Sequence, residues 1–159
     1  MNCRRKKLAA LLVRRKARDL FDGSLVFSID GLDIQRLRTV FAVYGAIDRK
    51  DWRTVSATDV VLDEAELYNQ LLPALQIGQV TGADAIKYGN YLVDECRNVL
   101  AALLPFNDAE RDILNRLLDK GEVDATVLTD DIELHRRIQV QPLLEWKAQH
   151  VRRFKGLHD

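Results

Sequence analysis

Leu92, Val93, Cys96, Val99, Leu100, Leu103 and Leu104 recur at i, i+3 and i+4 spacings, and Pro105 follows directly. On a helix of about 3.6 residues per turn this spacing gathers all seven on one face, and a proline does not continue the helix. Residues 83–104 are therefore predicted as a long amphipathic helix that must bury one side against a partner. Eight glycines and three prolines among 159 residues suit helices better than a turn-rich sandwich. No period-2 run is long enough to make a convincing strand. The predicted fold is all-α, an irregular helical bundle forming one domain over 1–159, with a basic helix in 1–22 and C-terminal helices over 83–159.

Local signals place the remaining helices. One is predicted over 4–22, stopped by Gly23, and a second over 33–46, where Ile34, Leu37, Phe41 and Tyr44 keep helical spacing. The run Leu25-Val26-Phe27 is ambiguous, and 48–55 reads as a polar connection carrying Trp52. Ser56 suits the cap of a short turn, 63–75 reads as a helix bent at Pro73, and 76–82 reads as a loop. Asn107 with Glu110 makes a capping-box pattern before Ile113, Leu114, Leu117 and Leu118, and Gly121 is placed to end that helix. Thr129 is predicted to cap a short helix, and Pro142 to open a last one running through Phe154.

Composition excludes several classes. Hydrophobic residues make up 47% and charged residues 30%, ordinary values for a globular chain and far from a disordered one. The longest uncharged stretch, 67–83, contains Asn69, Gln70, Pro73, Gln76, Gly78 and Gln79, too polar to span a bilayer. Cys3 and Cys96 have no metal-ligand spacing. They read as reduced thiols of a cytoplasmic protein, with a single disulfide between them possible but unsupported. His135, His150 and His158 show no ligand spacing either, so no metal site is expected from them.

The net charge of zero hides an uneven distribution. Arg4, Arg5, Lys6, Lys7, Arg14, Arg15, Lys16 and Arg18 give residues 1–18 a charge of +8 with no acid, while residues 59–131 hold fifteen acids against five bases. A secretory signal would need an apolar run of about 7–15 residues, and 8–13 has only six before Arg14. A mitochondrial presequence fits the composition, but nothing downstream looks like a cleavage region. A phosphate-binding basic helix and a solvated charged helix remain. On one continuous helix Lys7, Arg14 and Arg18 fall within about 40° of each other and Asp22 about 60° round from Lys7. That lengthwise stripe suits a polyphosphate, with Arg supplying fork-shaped donors, Lys a compact charge and Asp22 a partner to orient Arg18.

Resemblance adds to this reading. Lys7-Leu8-Ala9-Ala10-Leu11, then Arg14, then Arg18-Asp19-Leu20-Phe21-Asp22 resembles a motif of the AbiEii/AbiGii-type nucleotidyltransferase toxins, members of the DNA polymerase β-like nucleotidyltransferase superfamily. The likeness continues through Val43-Tyr44-Gly45-Ala46, Asp51-Trp52-Arg53-Thr54-Val55 and Gln70-Leu71-Leu72-Pro73. It returns at Glu110-Arg111, at Leu117-Leu118-Asp119-Lys120-Gly121-Glu122 and at Leu128-Thr129-Asp130-Asp131. It ends at Trp146-Lys147-Ala148 and Val151-Arg152-Arg153.

The resemblance implies transfer of a nucleotide from a nucleoside triphosphate to an RNA acceptor such as a tRNA 3′ end, in a toxin–antitoxin or phage-defence setting. Lys7, Asp19 and Asp22 carry over as catalytic-motif residues, and Lys7, Arg14 and Arg18 as phosphate-binding ones. The family's Gly-Ser or Gly-Gly turn, which holds the triphosphate, and its Asp-x-Asp pair, which binds Mg²⁺, come before the Lys motif, and only six residues precede Lys7 here. Gly23-Ser24 with Asp30 and Asp33 has the wrong spacing to share a metal on a strand, and Glu64 with Glu66 lies in a helical stretch. The chain is thus expected to be the C-terminal part of such an enzyme without its α/β catalytic half, inactive alone and holding no Mg²⁺ by itself. Its expected partners are a triphosphate and tRNA in the complete enzyme, an antitoxin or the missing half, and no membrane. Self-association is expected through Leu8, Ala9, Leu12, Val13, Ala17, Leu20 and Phe21 of the first helix, left exposed without that half. The competing class is a non-catalytic helical module whose basic first helix binds RNA or a protein.

Overall fold

The computed structural model describes residues 3–28, 31–75 and 82–157, with the side chains of residues 3–7 and of Phe27 outside that description. The fold is all-α. In chain order the helices are α1 (Cys3–Arg14), α2 (Ala17–Ser24), α3 (Ile34–Ile47), α4 (Glu64–Glu66), α5 (Leu72–Ala74), α6 (Ala83–Ala101), α7 (Asp108–Asn115), α8 (Ile132–Gln139) and α9 (Pro142–Lys155). π-helical turns join α4 to α5 (Leu67–Leu71) and extend α7 (Arg116–Lys120). Short 3₁₀ turns occupy Val26–Ser28, Trp52–Thr54, Ala57–Asp59 and Ala125–Val127. Among the described residues no helix is long and apolar enough to cross a membrane.

The chain divides into two compact units, Met1–Ile34 with Val55–Leu104, and Gln35–Thr54 with Pro105–Asp159. Each is assembled from two separated segments, so no linker in the sequence marks the division.

In the first unit the predicted single helix over 4–22 is two helices. α1 ends at Arg14, Arg15 takes a left-handed φ of 50°, and Lys16 is extended before α2 begins. The Lys16 carbonyl accepts from the Asp19 and Leu20 amides, which starts the new helix. The apolar pattern explains the break. On one continuous helix Leu8, Leu11 and Leu12 would centre about 120° away from Ala17, Leu20 and Gly23, so no single face would hold both sets. Folding back at Arg15 buries all six residues. Each buried leucine stabilises the unit by about 1.5–3 kcal/mol. Gly23 is where the layers meet most closely: a Cβ there would sit 2.8 Å from Leu11 Cδ1 and 3.1 Å from Cys96 Sγ. The surface expected to drive association is consequently mostly internal. Leu8, Leu12, Ala17 and Leu20 are buried, Ala9 and Phe21 are half-buried, and Val13 alone is exposed.

α6 supplies the other side of this core through Ala85, Leu92, Val93, Cys96, Val99 and Leu100. It ends three residues before the predicted Leu104, though Leu103 and Leu104 still bond the Leu100 carbonyl and stay buried. Cys96 is fully buried and unpaired in any disulfide, and its S–H donates to the Leu20 carbonyl at 3.1 Å. Burial pushes this thiol up from 9.0 to about 12. Gly89 lets Leu62 and Leu67 lie against the α6 backbone, where a Cβ would stand 2.8 Å and 3.0 Å from their methyl carbons.

The second unit is organised around Trp52, which the sequence places in a polar connection and the structure buries completely. The indole lies on Gly45 of α3 so closely that a Cβ there would fall 2.2 Å from its ring. Phe41 meets it edge-on at 5.0 Å, and Phe106 stands 6.0 Å from Phe41. The capping box forms as predicted: the Glu110 amide donates to Asn107 Oδ1 and the Asn107 amide to Glu110 Oε2. Glu110 also takes two bonds from Arg38, at 3.0 Å and 2.6 Å, and is itself buried. Gly121 ends the α7 run at a φ of 67°, so close to α9 that a Cβ would stand 2.5 Å from the Ala148 carbonyl. Pro142 opens α9 as predicted. The α8 cap differs: Asp131 accepts from the Leu134 amide, while Thr129 Oγ1 accepts only from the Asp131 amide.

Candidate functional site

Turning the chain back at Arg15 brings the end of α1 and the outer face of α2 beside the α4–α5 run. Ala17, Leu20 and Gly23 take the inner face of α2, which turns Arg18, Asp19, Phe21 and Asp22 outward. Across from them lie Glu66, Gln70, Leu71, Ala74 and Leu75. Together with Arg14 and Lys16 these residues line an open groove of about 840 Å³ within the first unit. Phe21, Leu71 and Leu75 are the large apolar residues of its lining, beside the charged ones.

The lining contains three cations, Arg14, Lys16 and Arg18, and three carboxylates, Asp19, Asp22 and Glu66. Lys16 spans the groove to Glu66, with Nζ 2.5 Å from Oε1. That bond and the Glu66 charge raise the Lys16 pKa above its ordinary value. Arg14 and Arg18 are exposed and make no ion pair or side-chain hydrogen bond among the described residues. Two guanidinium groups are thus presented in one groove with their donors directed to solvent.

Four of the five predicted site residues come together here: Arg14, Arg18, Asp19 and Asp22. They do so across a break between helices, whereas the sequence places them on one straight stripe. The Lys7 side chain lies outside the described residues, as does Asp30. Asp33 precedes α3 and is exposed, and it takes no part in the groove. Sequence reasoning missed Lys16, Glu66 and Gln70. Lys16 was visible only as one charge in a basic run, and its role depends on the extended backbone at that position.

The donor set does not fit a Mg²⁺ pair. Among the described residues no three His, Cys, Asp or Glu side chains cluster as metal ligands, and Glu66 is committed to Lys16. A two-metal site needs several carboxylate oxygens converging on one point.

The other segments that carry the family resemblance have visible packing roles. Gly45 seats Trp52, and Arg53 joins Asp51 to Asp119 at 2.7 Å and 2.8 Å. Lys147 Nζ donates to the Asp48 carbonyl at 2.7 Å, and Arg152 donates to the Gly121 carbonyl at 2.6 Å. Those residues hold the second unit together. Arg14 and Arg18 have no comparable task. Compared with protein-family models, curated proteins and solved structures, the chain matches none.

Proposed function

We propose that the chain is the helical C-terminal region of an AbiEii-like toxin nucleotidyltransferase and that the α1–α2 groove is the phosphate-holding wall of its triphosphate site. The observation that carries this reading is the convergence of Arg14, Arg18, Asp19 and Asp22 on one groove, with both guanidinium groups turned to solvent. Paired Arg forks suit the oxygens of a triphosphate, and the apolar lining at Phe21 and Leu71 suits a nucleobase or ribose face. Asp19 and Asp22 would act beside the reacting phosphate. The metal-binding carboxylates, and with them Mg²⁺, would come from a separate α/β half. In-line transfer needs charge neutralised at both the entering and the leaving oxygen, and two arginines do not supply that. The acceptor in this reading is RNA, the setting is cytoplasmic toxin–antitoxin or phage defence, and the chain alone transfers nothing.

The test has two arms. A nucleoside triphosphate titrated into the chain should bind, and Arg14→Gln with Arg18→Gln should weaken that binding at least tenfold. Labelled transfer to total tRNA with Mg²⁺ and each of the four triphosphates should be absent for the chain alone. It should appear when a segment bearing Gly-Ser and Asp-x-Asp is added. Robust transfer by the chain alone would sink the half-enzyme reading.

A second reading is favoured by the balance of three cations and three carboxylates in the groove. Such a surface suits a protein partner of mixed charge better than a polyanion, which would meet Asp19 and Asp22. This is the non-catalytic module in its protein-binding form, and salt-sensitive RNA binding without any triphosphate affinity would point to its RNA-binding form instead.

A further inference from the structure

The outer face of α9 carries a pattern that the groove does not use. Leu144, Ala148 and Val151 face inward and are buried. Leu143, Trp146, His150 and Phe154 are exposed, Trp146 at 56% and Phe154 at 85%. On the helix these four fall within an arc of about 80°. The Trp146 and His150 rings stack at 5.3 Å with 11° between planes. Leu157, also exposed, follows the left-handed Gly156, where its amide bonds the Arg152 carbonyl. The intervals from Leu143 through Trp146, His150 and Phe154 to Leu157 are three, four, four and three residues, the same read from either end.

An isologous interface presents one patch to itself, and a stripe spaced evenly about its centre suits antiparallel pairing about a two-fold axis. We propose that α9 pairs antiparallel with α9 of a second copy of this chain, about an axis at His150. Trp146 then meets Phe154 of the second copy, twice. Both Trp–Phe contacts suit offset or edge-on aromatic packing. Arg153 lies on the Trp146 side of the stripe, within reach of the opposing indole for a cation–π contact. Lys147, on the other flank, is drawn inward by its bond to the Asp48 carbonyl, so it adds little repulsion at the seam. The exposed side chains offer roughly 500 Å² per copy, about 1,000 Å² in total, at the low end for specific interfaces. The dimer should therefore be reversible, with a dissociation constant on the order of tens of micromolar.

Sedimentation equilibrium on the full chain from about 1 to 300 µM should show monomer passing to dimer. Trp146→Asp and Phe154→Asp, each checked for unchanged helicity, should raise the midpoint at least tenfold. A residue on the axis must meet its own copy. In a Cys3→Ser background, His150→Cys should yield a covalent dimer under oxidised glutathione, while Glu145→Cys, on the far side of α9, should not. A chain that stays monomeric with no His150→Cys crosslink overturns the proposal. So does a dimer indifferent to both aspartate variants, or equal crosslinking at the two cysteines. If the monomer instead binds a single-stranded oligonucleotide or anionic vesicles through Trp146, the face serves that ligand and self-pairing is wrong.

Discussion

The Trp52 region of the second unit and the α1–α2 groove of the first both carry residues of the family-like motifs, but the structure uses them differently. Around Trp52 nearly every motif residue is engaged: Gly45 by the indole, Arg53 by Asp51 and Asp119, Gly121 by Ala148 and Arg152. In the groove Arg14 and Arg18 are exposed and engage no described residue. A motif residue that packs explains itself through the fold. One that is exposed in the groove is not explained by the packing of the fold. The contrast turns a resemblance spread over the chain into a claim about a few side chains.

The contrast breaks first on stability. Trp52→Ala should remove about 3–5 kcal/mol, read from urea unfolding, because a fully buried indole leaves a large cavity. Gly45→Ala should come close, since its Cβ would have to occupy ring atoms of Trp52. If Trp52→Ala cost less than about 1 kcal/mol, the second unit would not be built on that residue. Next in size is Glu110→Ala, which removes the buried carboxylate bonded to Arg38 and half of the capping box, at about 3 kcal/mol.

A pH-dependent effect sharpens the first unit. Burial raises the Cys96 thiol from 9.0 to about 12, so the folded chain keeps its proton while the unfolded chain loses it. Stability from this group is complete below about pH 9 and falls as pH rises toward 12, by at most about 1.4 kcal/mol per unit. The loss should show in the difference between the unchanged chain and Cys96→Ala, whose unfolding midpoint lacks that component. Identical pH profiles would mean that the thiol is not held neutral by burial.

Several local chemical preferences stated by the sequence are followed, though Gly23, expected to stop its helix, lies inside α2. Asn107 and Glu110 form their box, Pro142 opens α9, Ser56 caps a turn, and Gly121 stops its helix. The break at Arg15 has no such signal, since neither glycine nor proline is there. It arises because two apolar sets on one helix would point to different sides, which only tertiary packing resolves. The cap at Asp131 was obscured by Thr129 two residues earlier, as both side chains can accept a backbone amide. Trp52 was hidden by polar neighbours, and its one trace is a distant glycine, Gly45, with room for an indole. The groove was half legible: its arginines and aspartates are in the motif, but Lys16 and Glu66 meet only through the fold.

The most direct measurement joins the two readouts on one molecule, the Arg14→Gln/Arg18→Gln double variant. Urea unfolding and triphosphate titration should be run side by side. Two exposed arginines without a packing role should leave stability within about 0.5 kcal/mol, while triphosphate affinity falls at least tenfold. Stability lowered by more than about 1 kcal/mol with affinity unchanged would place these residues among the structural ones and remove the groove as a ligand site.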